Sequence, residues 1–175
     1  MELPQFKYHP DPIATGAIEA SDEVCECCGE PRGYKYAGAV YSVEDVETVC
    51  PWCIADGSVT RKFDATLLEG QFVGAAEVSA EVAHEVGCRT PSYVAWQANN
   101  WMACCNDACE FHGDAPAREL KALSAKGIEQ LSVDSGFPVE DLHSILEHYT
   151  PCGSPAFYKF VCRHCGQTRY TGDCD

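Results

Sequence analysis

Cys25-Glu26-Cys27-Cys28-Gly29 and Cys50-Pro51-Trp52-Cys53 face each other across residues 30–49. Each contains a C-x2-C turn, and the separation matches that between the two halves of a four-cysteine zinc site. The chemistry explains the spacing. Zinc takes four donors in a tetrahedron, with sulfur at about 2.3 Å. One C-x2-C turn presents two thiolates to one ion, and a following glycine lets the backbone fold tightly beneath it. Cys25, Cys28, Cys50 and Cys53 are therefore the expected ligands of a first structural Zn²⁺. Cys27 is either a spectator or a substitute for a neighbour. Gly33 to Tyr41 reads as strand or hairpin material between the two halves. Ser42 to Asp45 is able to start a short helix. Pro51 suits a first helical turn, so a short helix is expected near Trp52 to Asp56. Knuckle, hairpin, knuckle and helix make a treble-clef or zinc-ribbon unit.

A second set lies downstream. Cys162-Arg163-His164-Cys165-Gly166 repeats the turn between two strand-like runs, Ala156 to Val161 and Gln167 to Thr171. Its partners are sought in Cys104-Cys105-Asn106-Asp107-Ala108-Cys109. Cys105 and Cys109 are favoured, with Cys104 and His112 as substitutes. Cys88, Cys152 and Cys174 have no partner at a recognisable spacing.

Elsewhere, residues 1–24 read as an extended, proline-punctuated lead-in, and 70–74 as a break. Ser79 to Val86 reads as a helix, with Val78, Val82 and Val86 on one face. Residues 116–132 read as a helix burying Leu120, Leu123, Ile128 and Leu131. Residues 138–149 read as another, burying Leu142, Ile145, Leu146 and Tyr149. Tyr93, Trp96 and Trp101 read as aromatic packing. The expected class is α+β: an N-terminal zinc-binding lobe over 1–75, and a helical lobe over 76–175 closed by the second site. The two can also form one continuous domain.

Composition limits the function. The chain has 175 residues, 27 Asp+Glu against 12 Lys+Arg, and a formal charge of -15. Each four-thiolate Zn²⁺ would add about -2. That excludes a general nucleic-acid binder, which must neutralise phosphates, and docking on an anionic membrane. Thirteen cysteines cannot all pair within the chain. With no apolar leader or span in view, a cytoplasmic setting is expected, where thiols stay reduced.

Two catalytic readings compete. Cys50-Pro51-Trp52-Cys53 at a helix start is the pattern of a thiol–disulfide oxidoreductase, because a helix N-terminus stabilises thiolate. That reading needs a βαβ frame, and no long apolar strand precedes Cys50. His143 and His148 lie five residues apart, so a helix turns them roughly 140° from one another. They cannot share one hydrolytic metal.

Phe6-Lys7-Tyr8-His9-Pro10, Cys25-Glu26-Cys27-Cys28, Arg32-Gly33-Tyr34, Cys50 to Ser58, Cys105 to Cys109 and Cys162 to Gly166 together resemble the CbrC family. The likeness runs over nearly the whole chain, and CPWCIADGS is its most specific part. It implies a bacterial cytosolic protein with a role in stress or tolerance to a nuclease colicin, and it supplies no catalytic residues. The expectation is a non-catalytic zinc protein that binds an unknown protein partner, a basic one being what its acidity suits.

Overall fold

The hairpin expected after the first cysteine pair forms one strand earlier than the sequence suggests. The structure is a computed structural model and describes residues 2–74 and 76–174. Strand β1 (Ile18–Val24) pairs antiparallel with β2 (Pro31–Tyr36), matching Ile18 to Tyr36 and Val24 to Pro31. The lead-in therefore supplies a strand, and the first knuckle is the turn of this hairpin. Ser42 to Asp45 forms no helix. Instead Tyr41 exchanges backbone hydrogen bonds with Thr66. Helix α1 (Pro51–Ala55) starts at the expected proline, and α2 (Ser58–Phe63) follows. Between them, Asp56 Oδ1 accepts from the Ser58 backbone at 2.8 Å.

Strand β3 (Phe72–Val73) occupies the expected break. Helix α3 (Ala80–Arg89) opens where Ser79 Oγ accepts from Val82 N, and it buries Val86. Next come β4 (Trp101–Cys104), β5 (Asp107–Ala108) and β6 (Glu110–Asp114). The single helix expected over 116–132 is two, α4 (Ala117–Lys121) and α5 (Ala125–Ser135). Ser124 divides them by accepting from Gly127 N at 3.2 Å, so it starts a new helix instead of continuing the old one. Helix α6 (Val139–His148) agrees with expectation. It is followed by β7 (Ala156–Val161) and β8 (Thr168–Asp173).

The described residues thus form a mixed α+β fold with three small sheets, ordered β1-β2, β3-β4-β5 and β6-β7-β8. Three apolar clusters support them. One gathers Ile18, Ile54, Val59 and Leu67 with Cys25, Cys50 and Cys53. A central aromatic one holds Tyr8, Trp101, Phe111 and Phe160. A helical one packs Leu120, Leu131 and Leu142 on Phe157. The buried Arg169–Asp134 ion pair ties β8 to α5. Phe6 enters the first cluster and Tyr8 the second, so the N-terminal segment bridges two cores. No helix is long and apolar enough to cross a membrane among the described residues.

Candidate metal centres

Both C-x2-C-G turns that close a hairpin fold the same way. In the first, Cys25 N donates to Glu30 O at 3.1 Å and Gly29 N to Cys25 O at 2.7 Å. In the second, Cys162 N donates to Gln167 O at 2.9 Å and Gly166 N to Cys162 O at 3.0 Å. Gly29 and Gly166 have φ of 75° and 70°, the left-handed region that a side chain resists. One turn has thus been built twice, once between β1 and β2 and once between β7 and β8.

At the first turn, Cys25, Cys28, Cys50 and Cys53 bring their sulfurs within 4.8 Å of one another. The Cys25–Cys53 and Cys28–Cys50 distances are both 4.0 Å. A tetrahedron with arms of about 2.3 Å has edges of about 3.8 Å, so the spacing fits one ion coordinated by four thiolates. Cys50 N donates to Cys25 Sγ at 3.2 Å. A hydrogen bond from the Cys50 thiol, joined by that backbone bond and the knuckle's own N–H groups, holds Cys25 well below the ordinary thiol range, whereas burial pushes Cys53 above it. Thiols this close cannot all ionise unless a cation sits among them. The knuckle is also fastened to its partner. Glu26 Oε1 accepts from the backbone of Glu47 at 3.0 Å and Thr48 at 2.7 Å. Lys62 Nζ donates to the Glu26 and Cys27 carbonyls, and Arg32 hydrogen-bonds the Cys28 sulfur.

At the second turn, Cys104, Cys105, Cys162 and Cys165 meet the same distance limit. Cys104 Sγ lies 3.8 Å from both Cys105 Sγ and Cys165 Sγ. The register pairs Cys104 with Asp107, which leaves Cys105-Asn106 as a two-residue hairpin loop. Both have positive φ, 56° and 58°, as a type I′ turn requires. This geometry turns two adjacent cysteines toward one point. Burial opposes ionisation of Cys162, but the N–H groups of Cys165 and His164 outweigh it and bring the thiol to about 6. The middle residues of this knuckle grip the hairpin. His164 Nε2 lies 2.8 Å from Asp107 Oδ2, and Arg163 Nε donates to Glu110 Oε1 at 3.1 Å. Asp107 also accepts from the Tyr8 hydroxyl at 2.5 Å. Burial raises its pKa, but the bonds from Tyr8 and His164 keep it below the ordinary carboxylate value.

Spacing pairs Cys105 with Cys109. The structure does not bring them together, and Cys104 stands where Cys109 was expected. Cys109 is fully buried in the aromatic core, its carbonyl accepts from Trp101 Nε1 at 2.9 Å, and burial pushes its thiol up to about 12. A C-x3-C pair needs a helical turn to converge, whereas a hairpin sends Cys109 inward. Asn106, which tolerates positive φ, is the one signal of that turn in the sequence. His112 lies on β6 beside Glu110, outside the group. Cys27 packs against the N-terminal core, also outside it. Glu26, Lys62, Asp107 and Glu110 carry no spacing signal and were not anticipated. No βαβ frame surrounds Cys50 and Cys53 among the described residues: α1 follows a loop, and the one parallel pairing of strands, β3–β4, is joined through α3 and carries neither cysteine.

The chain is therefore a mixed α+β protein with two four-cysteine groups, each compatible with a metal ion. It belongs to UPF0167, described as an uncharacterised protein family, whose profile matches residues 3–174. A UPF0167 protein of Pseudomonas aeruginosa is 44% identical over 173 residues, covering 98% of this chain and 97% of the relative. UPF0167 proteins of Mycobacterium bovis and Mycobacterium tuberculosis are each 38% identical over 170 residues, covering 94% of this chain and 90% of theirs. No solved structure matches the chain.

Proposed function

We propose that this is a non-catalytic zinc protein. One Zn²⁺ on Cys25, Cys28, Cys50 and Cys53 holds the lobe over 1–75 in a treble-clef-like unit. A second, on Cys104, Cys105, Cys162 and Cys165, closes the lobe over 76–175. The carrying observation is that each group gathers four sulfurs within 4.8 Å of one another, with two pairs at 4.0 Å in the first group and two at 3.8 Å in the second, close to the edge length of a tetrathiolate site. Four sulfurs leave no open position for water or substrate, so the ions are structural. Such a site also occupies the sulfur that disulfide exchange would use as nucleophile. Zinc is preferred over iron because it carries no redox chemistry and suits a purely structural role; both metals accept four thiolates.

The working role is protein binding. A charge of -15, made more negative by two tetrathiolate ions, favours a basic partner through long-range attraction. The CbrC resemblance suggests stress or toxin tolerance in the bacterial cytoplasm as the setting. Three measurements on the purified chain test this reading. Elemental analysis should find zinc without a matching amount of iron. Insulin reduction should not proceed above background. Capture of basic proteins from native lysate should weaken steeply as salt rises. Robust insulin turnover that is abolished by Cys50→Ser would replace the reading with the oxidoreductase.

A further inference from the structure

A cleft far in character from the cysteine groups lies where the 93–96 loop passes over β6 and β7. It encloses about 300 Å³. Tyr93, Phe111 and Tyr158 form its wall, Trp96 and Val94 its lip, and Asp114 and Cys152 its rim. In sequence Trp96 reads as aromatic packing, but it is 57% exposed and Val94 is 67% exposed. The exposure is built into the fold. Asp173 Oδ2 accepts from the backbone N–H of both Trp96, at 2.6 Å, and Gln97, at 3.1 Å, so β8 pins the loop that presents the indole.

The charge in the cleft has one sign. Asp114 pairs with Tyr158 across β6 and β7, and its carboxylate accepts from the Cys152 thiol at 2.9 Å. No lysine or arginine among the described residues lines the cleft. Among the described residues, neither Asp114 nor Asp173 has a cationic nitrogen within ion-pair distance, whereas Asp107, Asp134 and Glu119 each do. Cys152 is not a nucleophile here, because the hydrogen bond to Asp114 and that residue's charge hold its thiol above the ordinary range. A metal would need more donors than one carboxylate, and an anion would be repelled.

We propose that this cleft binds a small organic cation, an ammonium or guanidinium group on an apolar carrier, with its charge on Asp114 and its body against the exposed Trp96 indole, over a floor of Tyr93 and Tyr158 whose rings pack into the aromatic core. Aromatic faces attract such cations through their quadrupole, and a desolvated site strengthens the attraction. The loop is already in place, so little ordering entropy is lost on binding. The site is independent of the metal reading. The cation can be a free amine or the side chain of a basic protein.

The test uses the full chain as purified and follows the Trp96 indole by nuclear magnetic resonance. Choline and agmatine are titrated against the neutral carbon isostere of choline, and a blocked arginine tripeptide is titrated alongside. Both cations should shift the Trp96 indole and bind about fivefold or more tighter than the neutral isostere. Asp114→Asn should weaken choline by a similar factor, and Trp96→Ala, which removes an exposed side chain and with it the reporter, should abolish binding as followed on the ligand's own resonances. Agmatine binding tighter than the tripeptide points to a free amine, and the reverse order to a protein side chain. No indole shift with either cation, equal binding of the neutral isostere, or indifference to Asp114→Asn would overturn the proposal. None of these outcomes depends on metal content.

Discussion

The sulfurs of Cys104 and Cys165 lie 3.8 Å apart although 61 positions separate them in the chain. That contact joins the β4–β5 hairpin to the turn between β7 and β8. It rests on Cys104, which spacing ranks only as a substitute. Neighbouring polar groups reinforce the same junction, since Asp107 and Glu110 on the hairpin side meet His164 and Arg163 on the knuckle side.

The two knuckle glycines should be equally intolerant of substitution. A Cβ at Gly29 or Gly166 would meet no atom within 4 Å, so Ala at either position tests backbone strain alone. Gly29→Ala and Gly166→Ala should each cost roughly 1–2 kcal/mol in denaturant unfolding. If either variant matched the wild type, the left-handed turn would not be needed for the knuckle.

The two metal groups should differ in lability. Cys25, Cys50 and Cys53 are buried and only Cys28 is exposed. In the second group Cys105 and Cys165 are exposed and only Cys162 is buried. A chelator should therefore release metal in two phases, the faster from the second group. Cys104→Ser should remove the fast phase and leave the slow one. Loss of the fast phase in Cys53→Ser instead would invert the assignment.

His9 should make the fold acid-sensitive. It is fully buried, with Nδ1 2.7 Å from Pro91 O and Nε2 2.6 Å from Thr15 Oγ1. Burial lowers its pKa from 6.5 to about 4, against the raising influence of the Pro91 carbonyl and Asp11; His112 lowers it further. Above the unfolded value both states are neutral and stability is complete. Between 6.5 and about 4 only the unfolded chain binds the proton, so stability falls as the pH drops through that window. The total loss is roughly 3 kcal/mol. Acid also competes with metal for thiolates. The readout is therefore the difference in pH slope between wild type and His9→Gln, measured by denaturant unfolding. Equal slopes would show that His9 titrates alike in both states.

Local chemistry made much of this legible in the sequence. Cys25, Cys28, Cys50 and Cys53 sit in turns whose spacing alone sets geometry, and the structure groups them. Helix α6 followed from Pro138 and its apolar period. What escaped were features set by partners distant in sequence. β1 was read as lead-in because most of its side chains are exposed and lack strand alternation. Ser124 broke a helix because its hydroxyl competes with the backbone. Cys105 adopts a conformation rare for a residue with a side chain, so no propensity would point to it. Trp96 reads as aromatic packing beside Tyr93 and Trp101, but Asp173, 77 positions away in the chain, holds its backbone at the surface.

The central claim, two tetrathiolate ions with Cys104 and not Cys109 as a donor, is tested most directly by metal content. Zinc per chain is measured by elemental analysis on the wild type, Cys104→Ser and Cys109→Ser. The account predicts about two ions for the wild type, about one for Cys104→Ser and about two for Cys109→Ser. Cys109→Ser should lose only stability, by roughly 1–3 kcal/mol, for a hydroxyl buried without a partner. Less than one zinc in the wild type would contradict the account. So would one zinc in Cys109→Ser together with two in Cys104→Ser.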